Sequence, residues 1–389
     1  MHKVIISSNG HKNFLSPDKT CSIIAEGIKK GCPSAKIQNI PIADGGEGTI
    51  DFFNKLKNAE IQYIESHDSL FRKRAARVCF YNEDVPTAVI EIAETAGSAI
   101  LKPHERQTMI ATSYGVGELI KHVYDCGYKR IIIGLGGSIV SDCGIGMAQA
   151  IGITFKDKNG QRLQPISNQG FNALSLTQID QICYDSIKID LNSIELIVLS
   201  DVDIELLGPN GQAFTFGPQK GANNEEMQYL ERGFSNIVRV IDKNKKLNIN
   251  IPLAGAAGGL GAGLLGFLNA DLMLGAEFIA KEVDLENKIA NSDIVIVGEG
   301  QLDNTTFLNK SPLYIANLAE KYRKIIFNVV GCYHKFDYTP FYHKLYSCFG
   351  PKPIALTNKI IVQKLSEISL KIGYEINSST QNVLSQRAM

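Results

Sequence analysis

Three stretches of this chain carry the residue types that phosphoryl chemistry uses. Residues 41–49 read P-I-A-D-G-G-E-G-T and set Asp44 and Glu47 among three glycines at a strand-to-helix junction. Closely spaced glycines and a helix start present backbone N–H groups outward, which attracts phosphate or carboxylate. Two acids beside them oppose a bare anion, so the stretch suits a magnesium-assisted phosphate site. Residues 136–146, G-G-S-I-V-S-D-C-G-I-G, have the form of a phosphate cradle led by Gly136, Gly137 and Ser138, with Asp142 behind them. The cradle is not a P-loop, because the spacing and the terminal Lys-Ser/Thr are absent. It also lacks G-x-G-x-x-G with a following ribose-binding acid, which disfavours a nicotinamide dinucleotide. Residues 200–203, S-D-V-D, put Asp201 and Asp203 on one side of an extended continuation, where two carboxylates hold Mg2+ or orient a hydroxyl. Each stretch also has a plainer reading, in which glycines let a helix pack closely on a strand and an aspartate caps a turn.

Lysines stand near further loops of the same kind. Lys12 follows Ser8, Asn9 and Gly10 after the first strand, Lys220 lies in F-G-P-Q-K-G-A at residues 216–222, and Lys310 lies in N-K-S-P-L at residues 309–313. Between the last two, residues 298–306 form the turn G-E-G-Q-L-D-N-T-T, from which Asp303, Thr305 and Thr306 are expected to project. Backbone donors and lysines for phosphates, carboxylates for Mg2+ and a carboxylate to accept a hydroxyl proton are the inventory of small-molecule phosphoryl transfer. No serine-histidine-acid grouping and no H-E-x-x-H accompany them.

The elements that must position these loops read as α/β. Residues 3–7 predict a first strand, and Ser16-Pro17-Asp18 predicts a helix start with Ser16 as N-cap and Pro17 at its first position, running to Gly31. Loops at the carboxyl ends of strands are where such sheets bind ligands. Short strands are expected at 61–66, 75–81 and 87–92, with the R-K-R-A-A-R run at 72–77 as a solvated strand edge or turn. A helix opens near Thr112, and strands follow at 130–135, 195–199, 294–297 and 324–330. Residues 253–263 are too glycine-rich for a stable core helix by propensity, so close approach of backbone to backbone or ligand is expected there. An amphipathic segment spans 360–372, with a frayed polar tail after it.

Length and composition set the frame. A chain of 389 residues exceeds the size at which one core stops growing, so two domains are expected. Forty basic residues balance forty acidic ones without a basic block, which argues against nucleic acid as a partner. Apolar runs are far shorter than a bilayer span, and the start M-H-K-V-I-I-S-S lacks the form of a signal segment, so no membrane association and a cytoplasmic setting are expected. Eight cysteines without C-x-x-C spacing read as reduced thiols. The oligomeric state is not encoded in any heptad seam.

Seven blocks also carry a family likeness: P-I-A-D-G-G-E-G-T (41–49), T-S-Y-G-V-G-E-L-I (112–120), G-G-S-x-x-x-D-x-G (136–144), D-V-D (201–203), F-G-P-Q-K-G-A (216–222), G-A-A-G-G-L-G (255–261) and G-E-G-x-x-D (298–303). In this order they resemble the bacterial glycerate kinase family, type I. The resemblance implies an α/β enzyme of two domains: a Rossmann-like three-layer domain from residues 1–60 and 280–389, and a mixed α/β domain inserted at 61–279. It implies ATP and Mg2+ as cofactors and D-glycerate, a small hydroxy acid, as substrate, with 2-phospho-D-glycerate the favoured product. By the same resemblance, Asp201 accepts or orients the hydroxyl proton, and Lys12 and Lys310 neutralise the carboxylate and the transferring group. Asn9, Asp44, Asp203, Asp303 and Thr306 bind substrate; Gly136, Gly137, Ser138 and Lys220 bind nucleotide; Asp44, Asp142 and Asp303 serve the metal. The chain departs from the family in three places. Asn9 and Gly10 stand in the first loop where the family reads P-D-S-F-K-G-S, Ile204-Glu205 follows Asp203 in place of Asn-Pro, and Gln301 replaces an arginine. The same residue types would serve a kinase of a related hydroxy acid, or a catalytically weakened paralogue that binds substrate or nucleotide.

Overall fold

The computed structural model describes residues 2–11, 14–166, 169–308, 310–333, 344–351 and 357–387, with the side chains at 304, 305 and 379–387 outside that description. The chain divides into two compact α/β units, Met1–Ala43 with Ala276–Met389, and Asp44–Gly275.

The first unit is built on a parallel five-stranded sheet in the order Lys344–Ser347, Ile325–Tyr333, Ile294–Leu302, Lys3–Ser8, Lys36–Asn39. Its three inner strands are largely apolar and buried, as cover on both faces demands, while the outer strands Lys36–Asn39 and Lys344–Ser347 are polar and more exposed. Val4, Ile6, Ile294, Ile296, Phe327 and Val329 turn one face toward the helices Pro17–Gly31 and Asn358–Arg387, which contribute Ile24, Ile28, Ile361, Leu365 and Ile372. The helix Ser311–Lys321 packs on the strands Ile294–Leu302 and Ile325–Tyr333, completing three layers. The first helix starts as its sequence dictates, with Ser16 accepting the Lys19 amide and Pro17 in the first turn.

Two expectations in this unit are revised. The strand from Ile294 does not stop at Val297 but runs through Gly298-Glu299-Gly300-Gln301 to Leu302, because Ile325–Tyr333 continues beside it and pairs as far as Tyr333. The polar tail after 372 is helical, as part of the single helix Asn358–Arg387, whose buried stripe of Ile361, Leu365, Ile372 and Ile376 keeps helical spacing.

The second unit holds a six-stranded sheet in the order Asp271–Leu274, Glu195–Ser200, Arg130–Gly134, Pro86–Glu91, Lys73–Asn82, Glu60–His67. The first four strands are parallel and the last two antiparallel. A short pair, Thr154–Lys156 with Gln181–Cys183, stands apart from it. The arginine-rich run is strand, not turn: residues 73–77 pair with Glu60–His67 on one side only, pairing with Pro86–Glu91 beginning at Val78, and Arg77 reaches Glu94 at 2.8 Å and Asp51 at 3.0 Å. These carboxylates neutralise the guanidinium beside the sheet. The glycine-rich 253–263 segment combines both readings. Ala257, Gly258 and Gly259 adopt left-handed φ of 55°, 69° and 80°, after which a buried helix continues to Leu268. A Cβ on Gly258 would stand 1.9 Å from the Val140 carbonyl oxygen, so backbone meets backbone there, and burial overrides the low propensity of the turns that follow.

All eight cysteines are free thiols. Among the described residues no helix is long and apolar enough to cross a membrane.

Candidate functional site

In the second unit the carboxyl ends of neighbouring parallel strands are covered by the glycine loop of residues 44–48. The Gly136 amide donates to the Gly45 carbonyl at 3.0 Å, and the Asp44 carboxylate accepts the Gly46 amide at 3.2 Å. Only glycines fit these crossings. A Cβ on Gly136 would lie 2.3 Å from the Gly46 Cα and 3.2 Å from Asp201 Oδ2, and one on Gly134 would lie 2.5 Å from the Gly45 oxygen. Asp44, Gly136, Gly137, Ser138 and Asp201 are thereby brought to one end of one sheet. Gly137 is exposed with φ 78°, and its carbonyl is anchored by the amide and hydroxyl of Ser98 at 2.9 and 3.2 Å.

Asp201 and Asp203 do not sit on an extended continuation. The strand ends at Ser200, whose hydroxyl donates to the Val202 carbonyl at 2.7 Å and bends the chain. Val202, Ile204 and Leu206 are buried, so the Ile204-Glu205 departure inserts a core side chain, and the Ile204 carbonyl is taken by the Gly255 amide at 3.0 Å.

Two other expectations change in kind. Lys220, expected as an anion contact, is buried, and its ammonium donates to Ser138 Oγ at 3.0 Å and to the Val140 carbonyl at 2.8 Å. Burial pushes it down to about 7, against the opposing pull of Asp201 and Asp142. Asp142 is fully buried and accepts the Ser113 amide and hydroxyl, both at 2.8 Å, and the amides of Gly144 and Gly146 at 3.1 and 3.3 Å. Its environment is that of a carboxylate organising the turn under the Gly136–Ser138 loop. Burial raises its pKa against those hydrogen bonds.

In the first unit, Asn9, Asp303, Thr306 and Lys310 follow the carboxyl ends of the strands Lys3–Ser8 and Ile294–Leu302, and Lys12 lies outside the described residues. The Asn9 amide donates to the Gly298 carbonyl at 3.0 Å. Thr306 does not project: it is buried, accepts the Asp303 amide at 3.2 Å and donates its hydroxyl to Glu299 at 3.1 Å. Gln301, in the arginine's place, is exposed and donates to the Asp303 carboxylate at 3.1 Å. Lys310 precedes the helix Ser311–Lys321, with Pro312 in its first turn.

Two acids that no residue-level argument singled out, Glu91 in the expected strand 87–92 and Glu299 in the 298–303 block, hold these loops. Glu91, at the end of the strand Pro86–Glu91, is 2 % exposed and its Oε1 accepts the amides of Gly48 at 3.1 Å and Ile50 at 2.6 Å. The start of the helix Thr49–Lys57 is thus occupied by the chain's own carboxylate. Burial pushes Glu91 up to about 7, against the Ile50 hydrogen bond and the Arg77 charge. Glu299 plays a similar part for Thr306. Their signal in sequence is an acid where a buried strand ends, next to glycine or before a helix.

Among the described residues no three histidine, cysteine, aspartate or glutamate side chains converge as a metal cage. Mg2+ does not need one: it takes one or two carboxylates and completes its shell with phosphate oxygens and water. Asp44 and Asp201 fit that pattern.

Comparison with known proteins agrees with this architecture. Residues 4–368 match the family model described as the glycerate kinase family. The chain is 34% identical over 333 residues to the glycerate 2-kinase of Escherichia coli K12, covering 85% of each chain. It is 34% identical over 380 residues to the glycerate kinase of Bacillus subtilis 168, covering 97% of each. The crystal structure of a putative glycerate kinase 2 from Salmonella typhimurium LT2 superposes with a TM-score of 0.78 at 29% identity, over 98% of this chain and 99% of that one.

Proposed function

The chain belongs to the glycerate kinase family, and from that premise we propose that it transfers the γ-phosphoryl group of ATP to D-glycerate, forming 2-phospho-D-glycerate. The observation that carries the reading is the convergence of Asp201 with the Gly136–Ser138 turn and the Asp44 loop, with Asp201 Oδ2 3.2 Å from where a Cβ on Gly136 would lie. The turn offers backbone donors to phosphate oxygens, and Asp201 is the carboxylate placed to take the hydroxyl proton, a role for which a positioned base contributes about 10²–10⁴-fold. Asp44 is the candidate magnesium carboxylate. Bound Mg2+ supplies neutralisation of phosphate charge. In the first unit, Lys310 and Lys12 supply positive charge, and Asn9 and Asp303 supply polar contacts suited to a hydroxy acid. The name of the E. coli relative, a 2-kinase, supports attack by the 2-hydroxyl.

The test is phosphoryl transfer from Mg-ATP to D-glycerate by purified protein, followed by ADP release and phosphorus NMR. Turnover giving the phosphorus–proton coupling of a 2-phosphate supports the reading. Folded protein that is inert with glycerate, or that turns over only another hydroxy acid, overturns it.

A further inference from the structure

The surroundings of Ser138 go further than a glycine turn requires. An ammonium carries N–H donors and no lone pair, so in the 3.0 Å contact with Lys220 the Ser138 oxygen is the acceptor. Its own proton is left for a third atom, and among the described residues no acceptor for it is present. The carbonyl of Gly137 faces Ser98, and the amide of Ile139 donates to Ala96 at 2.9 Å. Among the described residues the amides of Gly137 and Ser138, which lie between those anchors, meet no acceptor either. The turn therefore presents two N–H groups and one O–H, all donors, beside an exposed glycine.

We propose that Lys220 is a positioning residue that acts through Ser138: from inside the fold it takes one of the two lone pairs of the serine oxygen and fixes the group's orientation, so that the O–H joins the Gly137 and Ser138 amides as a donor to a phosphate oxygen of the nucleotide. The second hydrogen bond, to the Val140 carbonyl at 2.8 Å, fixes the ammonium so that it cannot swing out to the ligand itself. Donors of this kind favour anions, whose oxygens accept stronger charge-assisted hydrogen bonds than neutral groups do. The proposal rests on the phosphotransfer reading only for the identity of its ligand.

The test compares wild type, Ser138→Ala, Ser138→Thr, Lys220→Met and the Ser138→Ala/Lys220→Met double variant. It measures MgADP affinity by calorimetry and steady-state kinetics at about pH 6, below the point near 7 at which burial lets Lys220 lose its proton. Ser138→Ala is expected to weaken MgADP and raise the KM for ATP about tenfold or more, with the KM for glycerate unchanged and a melting temperature only modestly lowered by the acceptor lost to Lys220. Ser138→Thr, which keeps the hydroxyl, should restore most of the affinity. Lys220→Met should weaken MgADP to a similar extent, and the double variant should bind no more weakly than the weaker single one. Unchanged MgADP affinity in folded Ser138→Ala overturns the proposal even if Lys220→Met fails to fold, and so does additive loss in the double variant. If wild type binds MgADP with these variant effects but does not phosphorylate glycerate, the proposed reaction fails and the donor set stands. If wild type binds no nucleotide, both fall.

Discussion

The Oε1 atom of Glu91 lies 2.6 Å from the amide nitrogen of Ile50, so a strand-end carboxylate, rather than a ligand, closes the start of the helix Thr49–Lys57. The same oxygen takes the Gly48 amide, which fixes the chain immediately after Asp44-Gly45-Gly46.

This arrangement makes stability depend on pH with a definite sign. Glu91 is pushed up from 4.5 to about 7 in the folded protein, so between those values the folded state holds more protons than the unfolded one. Its contribution is therefore full below about 4.5 and is lost as pH rises through about 7. Glu91→Gln keeps an acceptor oxygen without the charge, and chemical denaturation should show its stability relative to wild type rising from pH 5 to pH 8, by up to about 3 kcal/mol. A relative stability that falls over that range would contradict the assignment.

Asp201→Asn should fold normally and lose about 10²–10⁴-fold in kcat, with a small change in the KM for ATP. Single-turnover measurements would isolate the chemical step. Near-normal turnover would remove Asp201 from the proton-accepting role.

His11 is 4 % exposed, neither of its ring nitrogens has a partner among the described residues, and burial pushes it down to about 4. His11→Phe places an apolar ring of similar shape in the same niche, and urea unfolding at pH 7 should show a gain of about 1–3 kcal/mol. The gain should widen below pH 6.5, where the unfolded histidine takes up a proton that the buried one refuses.

Gly136→Ala places a methyl group 2.3 Å from the Gly46 Cα and 3.2 Å from Asp201 Oδ2. Backbone cannot yield as a flexible side chain can. The loop should be displaced, with kcat/KM falling at least tenfold and thermal stability falling measurably. Gly48→Ala, where no atom stands within 4 Å, is the control for generic loop effects, although its φ of 99° carries strain of its own.

Much of the scaffold was legible because local chemistry repeats it. Ser16-Pro17 caps its helix and the β-branched runs form strands as read. What could not be read was set by long-range partners. Arg77 reads as solvent-facing until Glu94 and Asp51 are placed beside it. Gly298-Glu299-Gly300 reads as a turn until Val329 and Val330 pair alongside. Lys220, between glutamine and glycine in a loop, carries no local mark of burial, and its partners lie 82 and 80 residues away. Asp142 is the converse: its motif was visible, but four donors around it give it an organising place that spacing alone does not distinguish from ligand contact.

The strand Lys3–Ser8 has consequences for how the protein is made. Lys3–Ser8 pairs on one side with Lys36–Asn39, which follows it closely in the chain, but on the other side Val4 pairs with Ile294, so its second neighbour exists only after about three quarters of the chain. Residues 44–275, a contiguous unit, can condense meanwhile. Until Ile294–Leu302 is made, the apolar strand Lys3–Ser8 keeps one edge unpaired, and its place inside the five-stranded sheet is secured late.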